Sequence, residues 1–195
     1  MCWSKPVLSA FNEGALRGAV PTEKYNLSCR FHNAMVLKES RPLTNTPRSM
    51  LIRDFRPDDL SQVLNLVNTT FRERYSPDLL MGAYRSYPEY ALVVEHGGVI
   101  GFALGTRSGA RDGRILIMAV RASHQNMGLG ATLLNILLNR FLDHDLAAAR
   151  LEVRVSNTDA IRLYRRYGFK IAGIIPLYYG DGEDGYVMQK ALKPI

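Results

Sequence analysis

Apolar residues along the chain follow two alternating periods. Ile115-Leu116-Ile117-Met118-Ala119-Val120 is an unbroken apolar run of strand length, and it is too short for a typical helix. After the polar turn Arg121-Ala122-Ser123-His124 and the string Gln125-Asn126-Met127-Gly128-Leu129-Gly130, apolar residues recur at Leu129, Leu133, Leu134, Ile136, Leu137, Leu138 and Phe141. Those spacings of three and four mark one face of a helix. The segment from Ile115 to Phe141 therefore reads as strand, glycine turn, helix.

The same reading covers the rest of the chain. Leu51 to Arg56 is a strand; Pro57-Asp58-Asp59 supplies helix-start chemistry, and Leu60, Val63, Leu64, Val67 and Phe71 form a helix stripe. A second short helix is expected over Asp78 to Tyr87, ending before Pro88. Tyr90 to Glu95 and Val99 to Gly105 are strands joined at Gly97-Gly98. Arg150 to Val155 is a strand, Asn157 to Tyr167 a helix, Phe169 to Ile175 a strand, and Glu183 to Ala191 the last one.

Residues 1–49 break this regularity. They contain Pro6, Pro21, Pro42 and Pro47, show no sustained period, and hold seven Lys/Arg against three Glu, about +4 of the net +7. They are read as a disordered basic extension before a domain over residues 50–195, with Met50 an alternative start. The 195 residues suffice for one domain with a real core. No stretch approaches a membrane-spanning length. The basic surface attracts polyanions without choosing among nucleic acid, ribosomes and CoA phosphates. Cys2 and Cys29, without CxxC spacing, and four scattered histidines support neither a zinc site nor a disulfide framework, so no metal is expected and a reduced cytoplasmic setting is the default.

The glycine turn has a physical use. A helix's first turn leaves backbone N–H groups free, the helix dipole adds positive charge there, and glycine admits close approach, so a phosphate or pyrophosphate fits. On the glycines alone, a plain turn between core elements explains as much. No Lys-Ser or Lys-Thr follows Gly130, and the residue twenty further on is Arg150 rather than an acid, which sets aside the P-loop and dinucleotide patterns.

A second block, Leu151 to Phe169, alternates Leu151, Val153 and Val155 against Glu152 and Arg154, then opens a helix at Asn157 and closes it at Gly168. Capping explains Asn157 and a left-handed C-terminus explains Gly168. Core packing would explain Tyr164, a solvated strand face Glu152, and a surface loop Glu73.

Together the two blocks resemble the GNAT acetyltransferases. Gln125-x-x-Gly128-x-Gly130 is similar to their Arg/Gln-x-x-Gly-x-Gly/Ala pyrophosphate loop, with Asn126 and Met127 at variable positions. Leu151-Glu152-Val153-Arg154-Val155-Ser156-Asn157 through Leu163-Tyr164 to Gly168-Phe169 matches every fixed position of a second signature. The resemblance implies an α/β (α+β) GNAT fold, a mixed, mostly antiparallel seven-stranded sheet flanked by about four helices. It implies acetyl-CoA as co-substrate, held by Met118, Ala119, Val120, Gln125, Asn126, Met127, Gly128, Leu129 and Gly130, with Asn157 on the CoA chain and Tyr164 near the thioester sulfur.

Three roles in acyl transfer are then assigned. A carboxylate takes the amine's proton, backbone N–H groups around Met118 to Val120 hold the oxyanion, and the Tyr164 phenol protonates the departing thiolate. Glu152, twelve residues before Tyr164, matches the spacing of the base in RimI-like ribosomal-protein alanine acetyltransferases. Glu73 and Tyr75, in Arg72-Glu73-Arg74-Tyr75-Ser76-Pro77, loosely resemble the peptide-entrance loop of N-terminal acetyltransferases, Pro-Glu-Asn-Tyr-Pro. Tyr178-Tyr179-Gly180-Asp181-Gly182-Glu183-Asp184-Gly185-Tyr186-Val187-Met188 resembles a signature of NatA-type catalytic subunits and their archaeal relatives, with Gly185 in place of the usual Ala. In those enzymes the tyrosine pair covers the peptide groove, which places Tyr178 and Tyr179 in substrate binding.

The implied activity is protein N-terminal α-acetylation by direct attack in a ternary complex. The implied partners are protein or peptide N-termini, including nascent chains at the ribosome, and an auxiliary subunit, with no membrane and no nucleic-acid substrate. A GNAT acting on lysine or a small amine, and a non-catalytic acyl-CoA-binding regulator, are the alternatives.

Overall fold

The computed structural model describes residues 35–37 and 50–192. Eight strands form one sheet: β1 (Met35–Leu37), β2 (Met50–Asp54), β3 (Ala91–Glu95), β4 (Val99–Arg107), β5 (Asp112–Val120), β6 (Ala148–Arg154), β7 (Lys170–Ile175) and β8 (Gly185–Ala191), in spatial order β1-β2-β3-β4-β5-β6-β8-β7. Every neighbouring pair is antiparallel except β5 and β6. Among the described residues four helices cover it: α1 (Leu60–Thr70), α2 (Pro77–Ser86), α3 (Leu129–Asp143) and α4 (Thr158–Arg166). The seven strands from β2 onward and these helices are the mixed, mostly antiparallel plan expected from the sequence.

The core lies in two layers, one on each side of the sheet. Val63, Leu66 and Val67 of α1 and Leu80 and Ala83 of α2 pack with Val93, Phe102 and Leu104. Leu133, Leu134, Leu137 and Phe141 of α3 and Ile161 and Tyr164 of α4 pack with Leu92, Ile115, Leu151 and Met188. A sheet covered on both faces explains why β4 is buried at every residue but its last and reads as a continuous apolar run.

One irregularity in β5 positions the site. Gly105 is opposite Ile115 and Leu104 is opposite Ile117, so Leu116 is an extra residue, a β-bulge. The bulge turns the alternation over: Ile115 packs with α3, whereas Ile117 and Ala119 pack with α1 and α2. The parallel pairing of β5 with β6 ends at the same place, at Ile115 and Leu151.

Some expected boundaries are corrected. α2 begins at Pro77, because Ser76 caps it by accepting from the Leu79 N–H at 3.2 Å. Tyr90 belongs to a 3-10 turn that Pro88 opens, and β3 starts one residue later. β7 starts at Lys170 and β8 at Gly185. The reading of residues 1–49 as a disordered extension lies outside the described residues except at Met35–Leu37, which forms a strand along β2.

Candidate active site

The site begins where β5 and β6 part. Beyond Ile115 and Leu151 the strands share no further register, yet β5 runs on to Val120 and β6 to Arg154. On its other side β5 stays paired with β4 through Val120. Among the described residues, backbone groups of residues 116–120 that point toward β6 thus have no strand partner. The wedge offers N–H and C=O groups to an extended, amide-bearing ligand or to a developing oxyanion. Met118, Ala119 and Val120, expected to hold the acetyl donor, all lie on this open stretch.

The glycine turn stands at the mouth of the wedge. A 3-10 turn over Ala122–His124 leads into Gln125, whose side-chain amide donates to the Val120 carbonyl at 3.0 Å and ties the turn to the end of β5. Asn126 has φ 62° and Gly128 φ 83°, both left-handed, and Met127 between them is 50% exposed. Gly128 is the N-cap of α3 and its carbonyl accepts from Thr132 N at 3.0 Å, so the first N–H groups of the helix point outward without a side-chain cap. A 15-residue helix ending in free N–H groups beside an open strand edge fits a pyrophosphate and its amide-bearing arm. Leu129 itself is buried and anchors the helix, and Gly130 faces Leu163 of α4.

Gly128→Val is expected to weaken acetyl-CoA binding by about tenfold or more while the protein still folds. The cause is backbone conformation rather than local crowding. A Cβ at this position meets nothing within 4 Å, but φ 83° is strained for any branched residue, at a cost of about 1–3 kcal/mol. The turn relaxes and its N–H groups lose their aim. Calorimetric titration with acetyl-CoA checks this, and an unchanged affinity would refute it.

On the sheet face toward α1 and α2, β6 carries Arg150, Glu152 and Arg154, alternating with the buried Ala149, Leu151 and Val153. Arg154 is the hub of this face. One of its amino groups bonds Glu73 Oε1; the other donates to Glu183 Oε2 at 2.6 Å and to both oxygens of Asp181 at 3.0 Å. Its guanidinium lies over the Tyr179 ring, 4.0 Å from the centroid. Asp181 also accepts from Arg72 at 3.1 Å, and Glu183 accepts from the Ser156 N–H at 2.9 Å. One cation thereby binds the loop after α1 to the β7–β8 hairpin.

Glu152 is held separately. Its side chain is 6% exposed, so the solvated strand face does not describe it. Arg114 of β5 donates to Oε2 at 2.8 Å and Arg150 to Oε1 at 2.6 Å, while Arg114 also donates to the Tyr178 hydroxyl at 3.1 Å. Glu73 and Glu152, the two candidate bases, are therefore both ion-paired, and both belong to networks that include the tyrosine pair. Tyr178 and Tyr179 meet edge to face at 5.0 Å.

The phenols occupy a desolvated environment. Burial is the main cause that pushes Tyr75 up to about 12, with the nearby Glu73 charge adding to it. Burial likewise raises Tyr178 and Tyr179, with the neighbouring Glu152 and Tyr178 respectively adding to it. Tyr164 is pushed up to about 12 by burial alone and packs edge to face on Phe169 at 5.8 Å. It remains a neutral proton donor throughout the ordinary working range of pH. Asn157 is the cap of α4, its side-chain oxygen accepting from the Ala160 N–H at 3.1 Å, which leaves both N–H donors of its amide for a ligand.

Arg154, Arg114, Asp181 and Glu183 were not among the expected site residues. For Arg154 the signal was present, since alternation puts it on the face of Glu152 within a fully matched block. Gly185 also acquires a reason. A Cβ there would lie 3.0 Å from Tyr178 Cδ1 and 3.2 Å from its Cβ, so the glycine lets the Tyr178 ring lie against the strand. Gly185→Ala is expected to displace that ring by a few tenths of an ångström, loosen its bond to Arg114 and raise a peptide KM about two- to fivefold, on the scale of one hydrogen bond. Steady-state kinetics with acetyl-CoA saturating would read this, and an unchanged KM would show that the ring's position does not matter.

Comparison with known proteins agrees with this geometry. Residues 58–169 match the acetyltransferase (GNAT) family. An uncharacterized N-acetyltransferase of Methanocaldococcus jannaschii is 36% identical over 72% of this chain and 91% of its own length. An N-alpha-acetyltransferase of Saccharolobus solfataricus is 28% identical over 74% of this chain and 95% of its own length. The crystal structure of Ard1 from Thermoplasma volcanium superimposes with a TM-score of 0.72 at 34% identity, covering 74% of this chain and 98% of that one. With an open β5–β6 wedge, a left-handed glycine turn at its mouth and a family match across both, the chain belongs to the GNAT family of acetyl-CoA-dependent N-acetyltransferases.

Proposed function

We propose that this acetyltransferase acts on the α-amine at the N-terminus of proteins, by direct attack in a ternary complex. The observation that carries the reading is the Arg154 junction. It joins the Glu73–Tyr75 loop to the Tyr178–Glu183 hairpin on the sheet face opposite α3, at the end of β6 that has parted from β5. On this reading those two segments wall a groove that leads a chain terminus to the open strand edge. The name of the Saccharolobus solfataricus relative supports the same substrate.

Acetyl-CoA supplies the acetyl group already activated as a thioester. The protein's residues do the rest. Backbone N–H groups of 118–120 donate to the carbonyl oxygen. Glu152 or Glu73, directly or through an ordered water, takes the proton of an amine whose reference pKa is about 7.7–8.0. Tyr164 donates a proton to the sulfur. Neither cysteine lies within residues 50–192, and no covalent acyl-enzyme is required.

The reading extends to a cytoplasmic enzyme meeting nascent chains at the ribosome, with an auxiliary subunit as a further partner and residues 50–195 as the catalytic domain. Mass spectrometry of protein N-termini with and without this gene product tests it, together with assays of the purified chain. Matched peptides with a free N-terminus are expected to be turned over. Peptides with a blocked terminus and an internal lysine are not. Turnover of lysine or small amines alone would overturn the substrate assignment.

A further inference from the structure

We infer that Arg150, together with Arg114, forms a subsite for a carboxylate side chain within the first two residues of the substrate. The inference rests on the α-amine reading above and adds a substrate class to it. Arg114 and Arg150 lie side by side in the parallel β5–β6 register, at its penultimate pair. Their side chains are on the sheet face that carries Glu152 and Tyr178.

Two guanidiniums present ten N–H donors. Among the described residues, Glu152 is the only carboxylate that either of them meets. One arginine would suffice to neutralise it, so the pair leaves a surplus positive charge. The surplus is concentrated on Arg150. It gives one amino group to Glu152 at 2.6 Å, while its Nε is buried and has no hydrogen-bond partner among the described residues. Its side chain is 36% exposed, against 13% for Arg114 and 6% for Glu152, so Arg150 is the member of the trio that a ligand can reach.

The surroundings make an anion the fitting ligand. Tyr178, whose hydroxyl accepts from Arg114, closes one side and is itself in a desolvated place. A charge-assisted hydrogen bond in such a setting is stronger than one in open water. Position also fits. Arg150 precedes Glu152 by two strand residues, about 7 Å along β6, the distance that one or two residues of an extended peptide cover. At the wedge end of the same strand the charge balance is reversed, since Arg154 and Arg72 face Glu73, Asp181 and Glu183. This face of β6 therefore grades from net negative around Arg154 to net positive at Arg150, with Glu152, where the amine is deprotonated, between them.

The test uses the full chain, acetyl-CoA, and peptides of one sequence carrying Glu, Gln or Lys at position 1 or, separately, at position 2. Wild type is expected to favour Glu over Gln by about 10- to 100-fold in kcat/KM at one of the positions. Arg150→Gln brings that ratio to near one, and Arg150→Glu turns it toward Lys. Using the ratio within each enzyme form removes any general loss caused by disturbing Glu152. The same peptides, fluorescently labelled at the C-terminus, are titrated by anisotropy in the presence of CoA, so that recognition is read without turnover. A Glu preference in binding without turnover on any peptide would refute the N-terminal activity and leave the subsite standing. A wild type indifferent to Glu, or an Arg150→Gln variant that keeps the wild-type ratio, would overturn the subsite.

Discussion

Glu152→Gln lowers kcat by about 10²- to 10⁴-fold if Glu152 is the base, the usual scale for general acid–base catalysis. The amide keeps the side chain's size and cannot take a proton. The ion pairs complicate the comparison, because Arg114 and Arg150 each donate to one Glu152 oxygen. An amide turns its NH₂ toward one of them, so some loss of stability is expected as well. Acetyl-CoA affinity and melting temperature, measured on the same preparations, separate that loss from the chemistry. Glu73→Gln is expected mainly to raise peptide KM, since Glu73 sits in the loop that Arg154 fixes at the groove. If both carboxylates act through a shared water, each single change costs less and the double change costs far more than their sum. An amine that arrives neutral needs no base, and the rate then follows its own titration near pH 8. Wild-type kcat in the Glu152→Gln, Glu73→Gln double variant would refute both assignments.

Arg154→Leu is expected to lower kcat/KM by about 10²-fold, almost all of it through peptide KM, with acetyl-CoA affinity unchanged. Truncating one partner of a desolvated charge pair typically costs 2–5 kcal/mol, much of it from the charges left behind. Here three carboxylates, Glu73, Asp181 and Glu183, lose their shared cation, and the loop and hairpin repel each other. Asp181 and Glu183 are open to solvent, so that figure applies to the Glu73 pair alone. Arg154→Lys restores only part, because an ammonium cannot serve separate partners with the planar fork that Arg154 uses. Hydrogen bonds, chiefly from Arg154, hold Asp181 down at about 2. The depressed value favours the folded state above the ordinary carboxylate range, and that contribution is lost only as pH falls toward 2, so peptide KM should not rise between pH 7 and pH 5 on this account. Equal losses in peptide and acetyl-CoA affinity would show that Arg154 supports the whole fold rather than the groove.

What the sequence revealed follows from distance along the chain. The glycine turn, the α4 cap at Asn157 and the left-handed close at Gly168 are local features written within a few residues, and they stand where the pattern put them. The bulge at Leu116 was hidden because a run of six consecutive apolar residues shows no change of phase. The pairing of Arg154 with Glu73 joins residues 81 positions apart, and that of Arg114 with Tyr178 residues 64 apart. Alternation could place Glu152 and Arg154 on one face, but no periodicity says which loop folds over that face or which cation meets which acid.

The brevity of the β5–β6 register has a mechanical consequence. Among the described residues, four residue pairs are all the strand pairing that joins the β1–β5 half of the sheet to the β6–β8 half. Such a seam is the natural first place for the sheet to open, and its amides should exchange with solvent sooner than those of the seven-pair ladder between β6 and β8. A ligand lying in the wedge grips both halves and acts as a staple across the seam, adding about 2.7 kcal/mol at a concentration one hundred times its dissociation constant. The cleft that suits the acetyl donor thus runs along the short seam between the two halves of the sheet, and loading it is expected to slow exchange of the seam's amides.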